Sequence, residues 1–130
     1  VTVTLPVEPI FVPMDPMLIE QVLMNLIENA SYHSGATKPI VCKVEDMDNY
    51  VLFRIIDFGT GIDPERLTQI FDGTVYSKNH TSDGHKGMGI GLSICKAIIL
   101  AHGGQINARN HADGAEFYFS LPKEESNDEF

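Results

Sequence analysis

Three groups of residues in this chain have the types and spacing to do chemistry. In "QVLMNLIENASYH", Asn25 and Asn29 stand one helical turn apart, with Glu28 beside them. An amide oxygen is a hard ligand for Mg2+, which takes few protein groups and completes its octahedron with water and phosphates. Asparagine inside a helix costs roughly half a kcal/mol against alanine, and an ordinary solvated face uses Lys, Glu or Gln instead. Asn29 is therefore a candidate ligand for a metal–phosphate complex; the alternative is a plain surface stripe of Gln21, Asn25, Glu28, Asn29 and Tyr32. The second group is "DFGTG", residues 57–61, at the end of an apolar run. A recessed carboxylate on Asp57 can accept a hydrogen bond from an exocyclic amino group such as that of adenine. Guanine would present a carbonyl there and leave the acceptor unpaired, at about 1–3 kcal/mol. Gly59 and Gly61 permit close backbone approach, although Asp57 could equally cap a turn. The third is "GHKGMGIGLSICKAI", residues 84–98, in which Gly87, Gly89 and Gly91 form G-x-G-x-G. Ile94 stands where a dinucleotide fingerprint needs its third glycine, and no G-K-[ST] follows, which excludes a Walker A loop. A flexible segment entering a helix N-terminus remains, where free N–H groups favour phosphate; a structural hinge is the alternative. Metal, base and phosphates are three parts of one ligand.

Positioning these groups requires a specific set of elements. "VTVTL" and "IFVP" have the pattern of short strands. "MDPMLIEQVLMNLIENASYHSG" predicts a helix capped by Asp15, with Pro16 at its first position and Gly35 past its end. Val22, Leu23, Leu26, Ile27 and Ala30 make its core stripe. "IVCKVED" and "YVLFRIID" alternate and form a hairpin through "MDN". Asp63-Pro64 begins a short helix. Residues 72–86 carry no hydrophobic period and predict a loop. "IGLSICKAIILAHGG" is a second long helix, with Leu92, Cys95, Ile98 and Ile99 on one side and Gly103 closing it. "QINARN" and "AEFYFSLP" form a last hairpin turning at Asp113-Gly114. The expected fold class is α/β (α+β): a mixed, largely antiparallel sheet of about five strands with three helices on one face.

Bulk composition narrows the partners. The 130 residues suit a single core, and 43% of them are hydrophobic. Nine Lys and Arg against eighteen Asp and Glu give a net charge of −9, which disfavours nucleic acid. An anionic ligand would have to be held by backbone N–H groups and a metal ion. Cys42 and Cys95 sit apart in apolar segments and look like buried small hydrophobes of a reducing compartment, not a disulfide pair. No apolar run is long enough to span a bilayer. One domain over 1–123 and an acidic, solvated tail over 124–130 are expected, the whole being a piece of something longer.

With those residues in view, a resemblance is plain. "NLIENA", "DFGTGI", the "IF" ending at Phe71 and "GMGIGLSICKAIILAHGG" look like the N, G1, F and G2 boxes of the catalytic ATP-binding domain of sensor histidine kinases. That likeness covers nearly the whole chain and implies the Bergerat fold, a two-layer α/β sandwich, with ATP and Mg2+ as ligands. It implies that Asn29 binds Mg2+, that Asn25 lies by the phosphates, and that Tyr32 and His33 are close to them. Asp57 would bind the adenine amino group in a base pocket shaped by Gly59, Gly61, Ile62 and Phe71. The 72–86 loop would be the ATP lid, ending at Lys86, and Gly87, Met88, Gly89, Ile90, Gly91 and Leu92 would run along the phosphates. "DGAEFYFSLP" is similar to the family's closing strand, and with the asparagine helix it leans towards the potassium-sensing branch.

The departures from the family pattern also have consequences. Tyr32 stands where a Lys or Arg is usual, Phe58 replaces a polar residue, and the aromatic and Arg expected after Phe71 are missing from "DGTVYSK". Unless Lys78 or Lys86 substitutes, two cations are lost, and weak nucleotide affinity is expected. An acceptor histidine in this family is followed by Glu or Asp. The residues after the five histidines are Ser34, Thr81, Lys86, Gly103 and Ala112. The phosphoryl acceptor must then be a histidine of a separate dimerisation domain, with Glu28 helping to orient it. The resemblance implies a response regulator downstream, a homodimeric whole protein, and a cytoplasmic place in a membrane-anchored sensor. Two rivals remain. ATP-hydrolysing relatives and stand-alone serine kinases of the same fold carry Glu where this chain has Asn25, and an amide cannot accept a proton. A non-catalytic module would keep the fold for partner docking, and Tyr32 and the poor lid motif favour it.

Overall fold

The computed structural model describes residues 2–8, 10–34, 39–72 and 88–123, with the side chains of residues 33, 34 and 88–90 left aside. Its elements are β1 (Thr2–Thr4), α1 (Pro16–Ser34), β2 (Ile40–Asp46), β3 (Tyr50–Asp57), α2 (Pro64–Leu67), α3 (Met88–Ala101), β4 (Gln105–His111) and β5 (Gly114–Pro122). The five strands form one sheet in the order β1-β2-β3-β5-β4. β1 pairs with β2 in parallel, and every other pairing is antiparallel.

Strand alternation decides which face is covered. Val51, Ile55 and Asp57 of β3 share a face with Ala115, Phe117, Phe119 and Leu121 of β5, and all of these are buried. Phe53 stacks on its β5 partner Phe119 with ring centroids 4.6 Å apart. Against this face pack Ile19, Val22, Leu26 and Ala30 of α1 and Leu92, Cys95, Ile98 and Ile99 of α3, in one continuous core. The expected helix-on-sheet arrangement is therefore present, with three helices among the described residues. Both cysteines are free, Cys95 buried and Cys42 half-buried.

Sequence signals account for the helix ends. Asp15 Oδ1 accepts from the backbone N–H groups of Met17 (3.1 Å) and Leu18 (3.3 Å), closing orphan donors of α1. Asp63 does the same for α2 through Glu65 N–H (3.0 Å), with proline at the first position. Gly103, at φ +82°, ends α3. His102 joins the two long helices: Nδ1–H donates to Ile98 O (2.8 Å), while Nε2 accepts from Asp15 N–H (3.0 Å). Gly35, expected just past α1, lies outside the described residues.

Two expectations are corrected. "IFVP", residues 10–13, is not a strand. Pro13 lacks an N–H, and β1 already occupies the edge beside β2. Val12 and Met14 instead tuck against the core as partly buried side chains. The last hairpin turns at Ala112-Asp113, one residue earlier than expected, because Gly114 is already paired with His111.

The opposite face of the sheet is polar and carries an ion network. Arg54 Nε donates to Glu116 Oε2 (2.6 Å) and its Nη1 to Glu45 Oε2 (3.0 Å). Arg109 Nε donates to Glu116 Oε1 (3.3 Å), and its guanidinium lies 4.8 Å from the centre of the Tyr118 ring. Burial alone would raise the Glu116 carboxyl, but the hydrogen bonds from Arg54 and then Arg109 outweigh it and hold it below the ordinary glutamate value.

Candidate functional site

α1 and α3 run antiparallel, a direction fixed by three contacts: Asp15 with His102, Val22 O with the Cys95 thiol (3.9 Å), and Asn25 against Gly91. At the last of these the helices approach closely enough that a Cβ on Gly91 would sit 3.4 Å from Asn25 Oδ1. That is an ordinary contact distance, and it brings the first turn of α3 to the asparagine stripe of α1. Asn25 is half-buried there. Burial pushes the neighbouring Cys95 thiol up to about 11, against a smaller lowering effect from its hydrogen bond with Asn25.

Asn29, one turn further along α1, is the unusual member. Its side chain is fully buried, and neither Oδ1 nor Nδ2 finds a hydrogen-bond partner among the described residues. On the wheel the Asn29 position falls between Asn25 and the core residue Val22, at the border of the core stripe. The polar stripe is consequently not one solvated face. Gln21 and Glu28 are exposed and Tyr32 is about half-exposed, while Asn29 lies inside. A buried amide without a partner costs about 1–3 kcal/mol, and an oxygen-preferring cation satisfies the acceptor, so the donor set fits Mg2+.

Asp57 ends β3 on the helix-covered face and is 1% exposed. Its partner in the β2 ladder is Ile40, six positions after the last residue of α1, so the helix delivers its chain to the same end of the sheet. Asp57 Oδ1 accepts from Gly59 N–H (3.0 Å) and Ala115 N–H (3.1 Å), which fixes the plane of the carboxylate. Gly61 adopts φ +84°, a conformation that disfavours any side chain. Ile62 and Leu92 are core residues, so any contact they make with a ligand falls largely to their backbones. Phe71 lies edge-on to Phe117, with centroids 6.1 Å apart, under the sheet's covered face. Met88, Gly89 and Ile90 open α3. Lys86, Gly87 and all of the expected lid beyond Asp72 lie outside the described residues, as does the side chain of His33.

Sequence reasoning missed the tip of the β4–β5 hairpin. Asn110 Oδ1 accepts from Ile62 N–H (2.8 Å) and its Nδ2 donates to Ile62 O (2.8 Å). His111 Nε2–H donates to Asp57 O (2.8 Å). The only signal was a run of polar residues, "RNH", at a strand end.

Comparison with known proteins bears on the family and the fold of the chain. The model of the histidine kinase-, DNA gyrase B- and HSP90-like ATPase family matches residues 14–125. Sensor protein KdpD of Clostridium acetobutylicum is 45% identical over 125 residues, which is 95% of this chain and 14% of that protein. Sensor protein SrrB of Staphylococcus aureus is 40% identical over 108 residues, 82% of this chain and 18% of that protein. The chain therefore spans less than a fifth of the length of these curated relatives. The solved catalytic domain of histidine kinase ThkA superposes with a TM-score of 0.80 at 34% identity, covering 94% of this chain and 78% of that one. ThkA has also been solved in complex with response regulator protein TrrA. The potassium-sensing lean of the motifs agrees with the similarity to KdpD. No helix among the described residues is long and apolar enough to cross a membrane. From its motifs, its sheet and these likenesses, the chain belongs to the histidine kinase-, DNA gyrase B- and HSP90-like ATPase family, as a catalytic ATP-binding domain of the sensor histidine kinase kind.

Proposed function

We propose that this domain binds ATP with Mg2+ and donates the γ-phosphoryl group to a histidine on a separate dimerisation domain. The observation that carries the reading is Asn29, a fully buried amide whose polar atoms lack a partner among the described residues. Magnesium, when bound, neutralises phosphate charge and helps hold the phosphoryl group in line for transfer. Asn29 Oδ1 would be its protein ligand. Asp57 would offer a carboxylate oxygen to the adenine amino group, and the first turn of α3 would turn its free N–H groups toward the phosphates. Asn25, seated against Gly91, orients a phosphate through its amide and cannot act as a base for water. That favours transfer to a histidine over hydrolysis. Glu28 would orient the incoming imidazole, and its exposure beside Asn29 supports that role.

On this reading the whole protein is a homodimeric sensor kinase that passes its phosphoryl group to a response regulator. The domain lies on the cytoplasmic side of a membrane-anchored receptor. The sensor proteins KdpD and SrrB and the complex of ThkA with its response regulator support the sensor and response-regulator parts of that assignment by likeness. Calorimetric titration of ATP with and without Mg2+ tests the reading. The wild-type domain is expected to bind more tightly with Mg2+, and Asn29→Ala is expected to bind equally in both. A magnesium response unchanged in Asn29→Ala overturns the assignment of Asn29. Absence of binding at millimolar ATP favours the docking module, for which the half-exposed Tyr32 is the supporting feature.

A further inference from the structure

Beyond Asp57 the chain leaves the sheet. β3 pairs with β5 as far as Ile56↔Glu116 and with β2 as far as Ile40↔Asp57, so the ladders do not extend to residues 58–62. Besides local bonds such as that from Gly59 N–H to Asp57 Oδ1, this turn is held by side chains of β4, which is not a neighbour of β3, since β5 lies between them. The reach is possible because the two β5 residues in the way are small. His111 is paired with Gly114, and Asn110 with Ala115. A Cβ on Gly114 would collide with Asp57 O.

Through this gap two side chains hold the turn at both ends. His111 donates from Nε2–H to Asp57 O (2.8 Å), and its Nδ1 accepts from Asp113 N–H (3.1 Å). A carbonyl can only accept and an N–H can only donate, so the pair of bonds fixes the neutral Nε2–H tautomer. The ring also meets Phe58 edge-on at 5.4 Å. Asn110 clamps the other end, reading both polar atoms of Ile62 at 2.8 Å with one amide. Its Oδ1 lies 3.0 Å from where a Cβ on Gly61 would stand, so the clamp sits tight against the left-handed glycine. Neither bond touches the asparagines of α1 or the N-terminus of α3.

We propose that Asn110 and His111 are positioning residues for base recognition. Their bonds to the backbone of Ile62 and Asp57 set the aim of the Asp57 carboxylate, and so the affinity for adenine over guanine. This rests on the reading of Asp57 as the base acceptor. The affinity for the phosphate and magnesium half of the nucleotide is independent of them.

The test is calorimetry with ATP and with GTP, each with Mg2+, on the domain and four variants. Asn110→Asp keeps the shape and the acceptor for Ile62 N–H but turns an oxygen toward Ile62 O. It is expected to weaken ATP about tenfold while GTP changes by less than about threefold. His111→Ala is expected to do the same, and His111→Gln, whose amide can still donate to Asp57 O, to restore ATP binding to within about threefold. The Mg2+ dependence persists in all three. ATP affinity within twofold of wild type in both Asn110→Asp and His111→Ala overturns the proposal. So does an equal loss of ATP and GTP, or a failure of His111→Gln to rescue. Asp57→Asn is the fourth variant. If it weakens ATP while the hairpin variants do not, only this inference fails; if it binds ATP normally, the reading of Asp57 fails first.

Discussion

A buried amide without a protein partner makes Asn29 a local cost to the nucleotide-free domain. Replacing it with an apolar side chain of similar volume removes that cost together with the proposed ligand. Asn29→Leu is therefore expected to raise the thermal midpoint of the free domain by a few degrees, roughly 1 kcal/mol, and to abolish the stabilisation given by Mg-ATP. A lowered midpoint in differential scanning calorimetry would contradict this account. Asp57 supplies a complementary case. Asn at 57 keeps Oδ1, and with it the bonds from Gly59 and Ala115, but exchanges the remaining acceptor oxygen for a donor. Asp57→Asn should fold normally and bind ATP about ten- to a hundredfold more weakly. Unchanged affinity by calorimetry would remove Asp57 from base recognition.

Among the elements, α1 does two jobs. Its core stripe anchors it on the sheet, and its C-terminal half carries the asparagines, so its axial position matters to both. That position is set at the far end by the Asp15 cap and the His102 bridge from α3. Asp15→Ala removes the side-chain acceptors for Met17 and Leu18 but leaves the backbone N–H that His102 accepts from. A loss of about 1 kcal/mol in urea unfolding is expected, with ATP affinity held within about twofold. A tenfold loss of affinity would instead mean that the cap, and not the helix contacts at Gly91, sets the register of the site.

For the molecule as a whole, acid stability depends on the open face of the sheet. Arg54 and Arg109 hold the Glu116 carboxyl below its ordinary value in the folded state. A depressed carboxylate contributes its stability in full above the unfolded glutamate value. That contribution is lost as pH falls from there through the folded value. The urea midpoint of wild type should therefore drop across that acidic window. Glu116→Gln should start lower near neutrality and show a shallower drop, and parallel curves for the two proteins would refute the role of this network. The Cys95 thiol, pushed up to about 11 by burial, stays protonated throughout this range.

The sequence by itself determined the strands of the two hairpins, the long helices, the N-caps of α1 and α2 and the Gly103 end of α3, because alternation, helical period and capping chemistry are local. Ile40–Asp46 and Tyr50–Asp57 could be marked from their pattern, and Asp15-Pro16 and Asp63-Pro64 from their residue types. The candidate site was legible as three motifs because each carries residues that a core or a surface would not choose. "IFVP" was misread as a strand because its apolar run is local while the occupancy of the sheet edge is not. Only the tertiary structure decided that Asn29 is buried while Glu28 beside it is exposed, since the wheel position alone cannot say how far α3 covers α1. It also decided that Asn110 and His111 reach across two small residues of β5 to the turn after β3. That contact joins residues about fifty positions apart through a strand that is adjacent to both, and no local pattern encodes it.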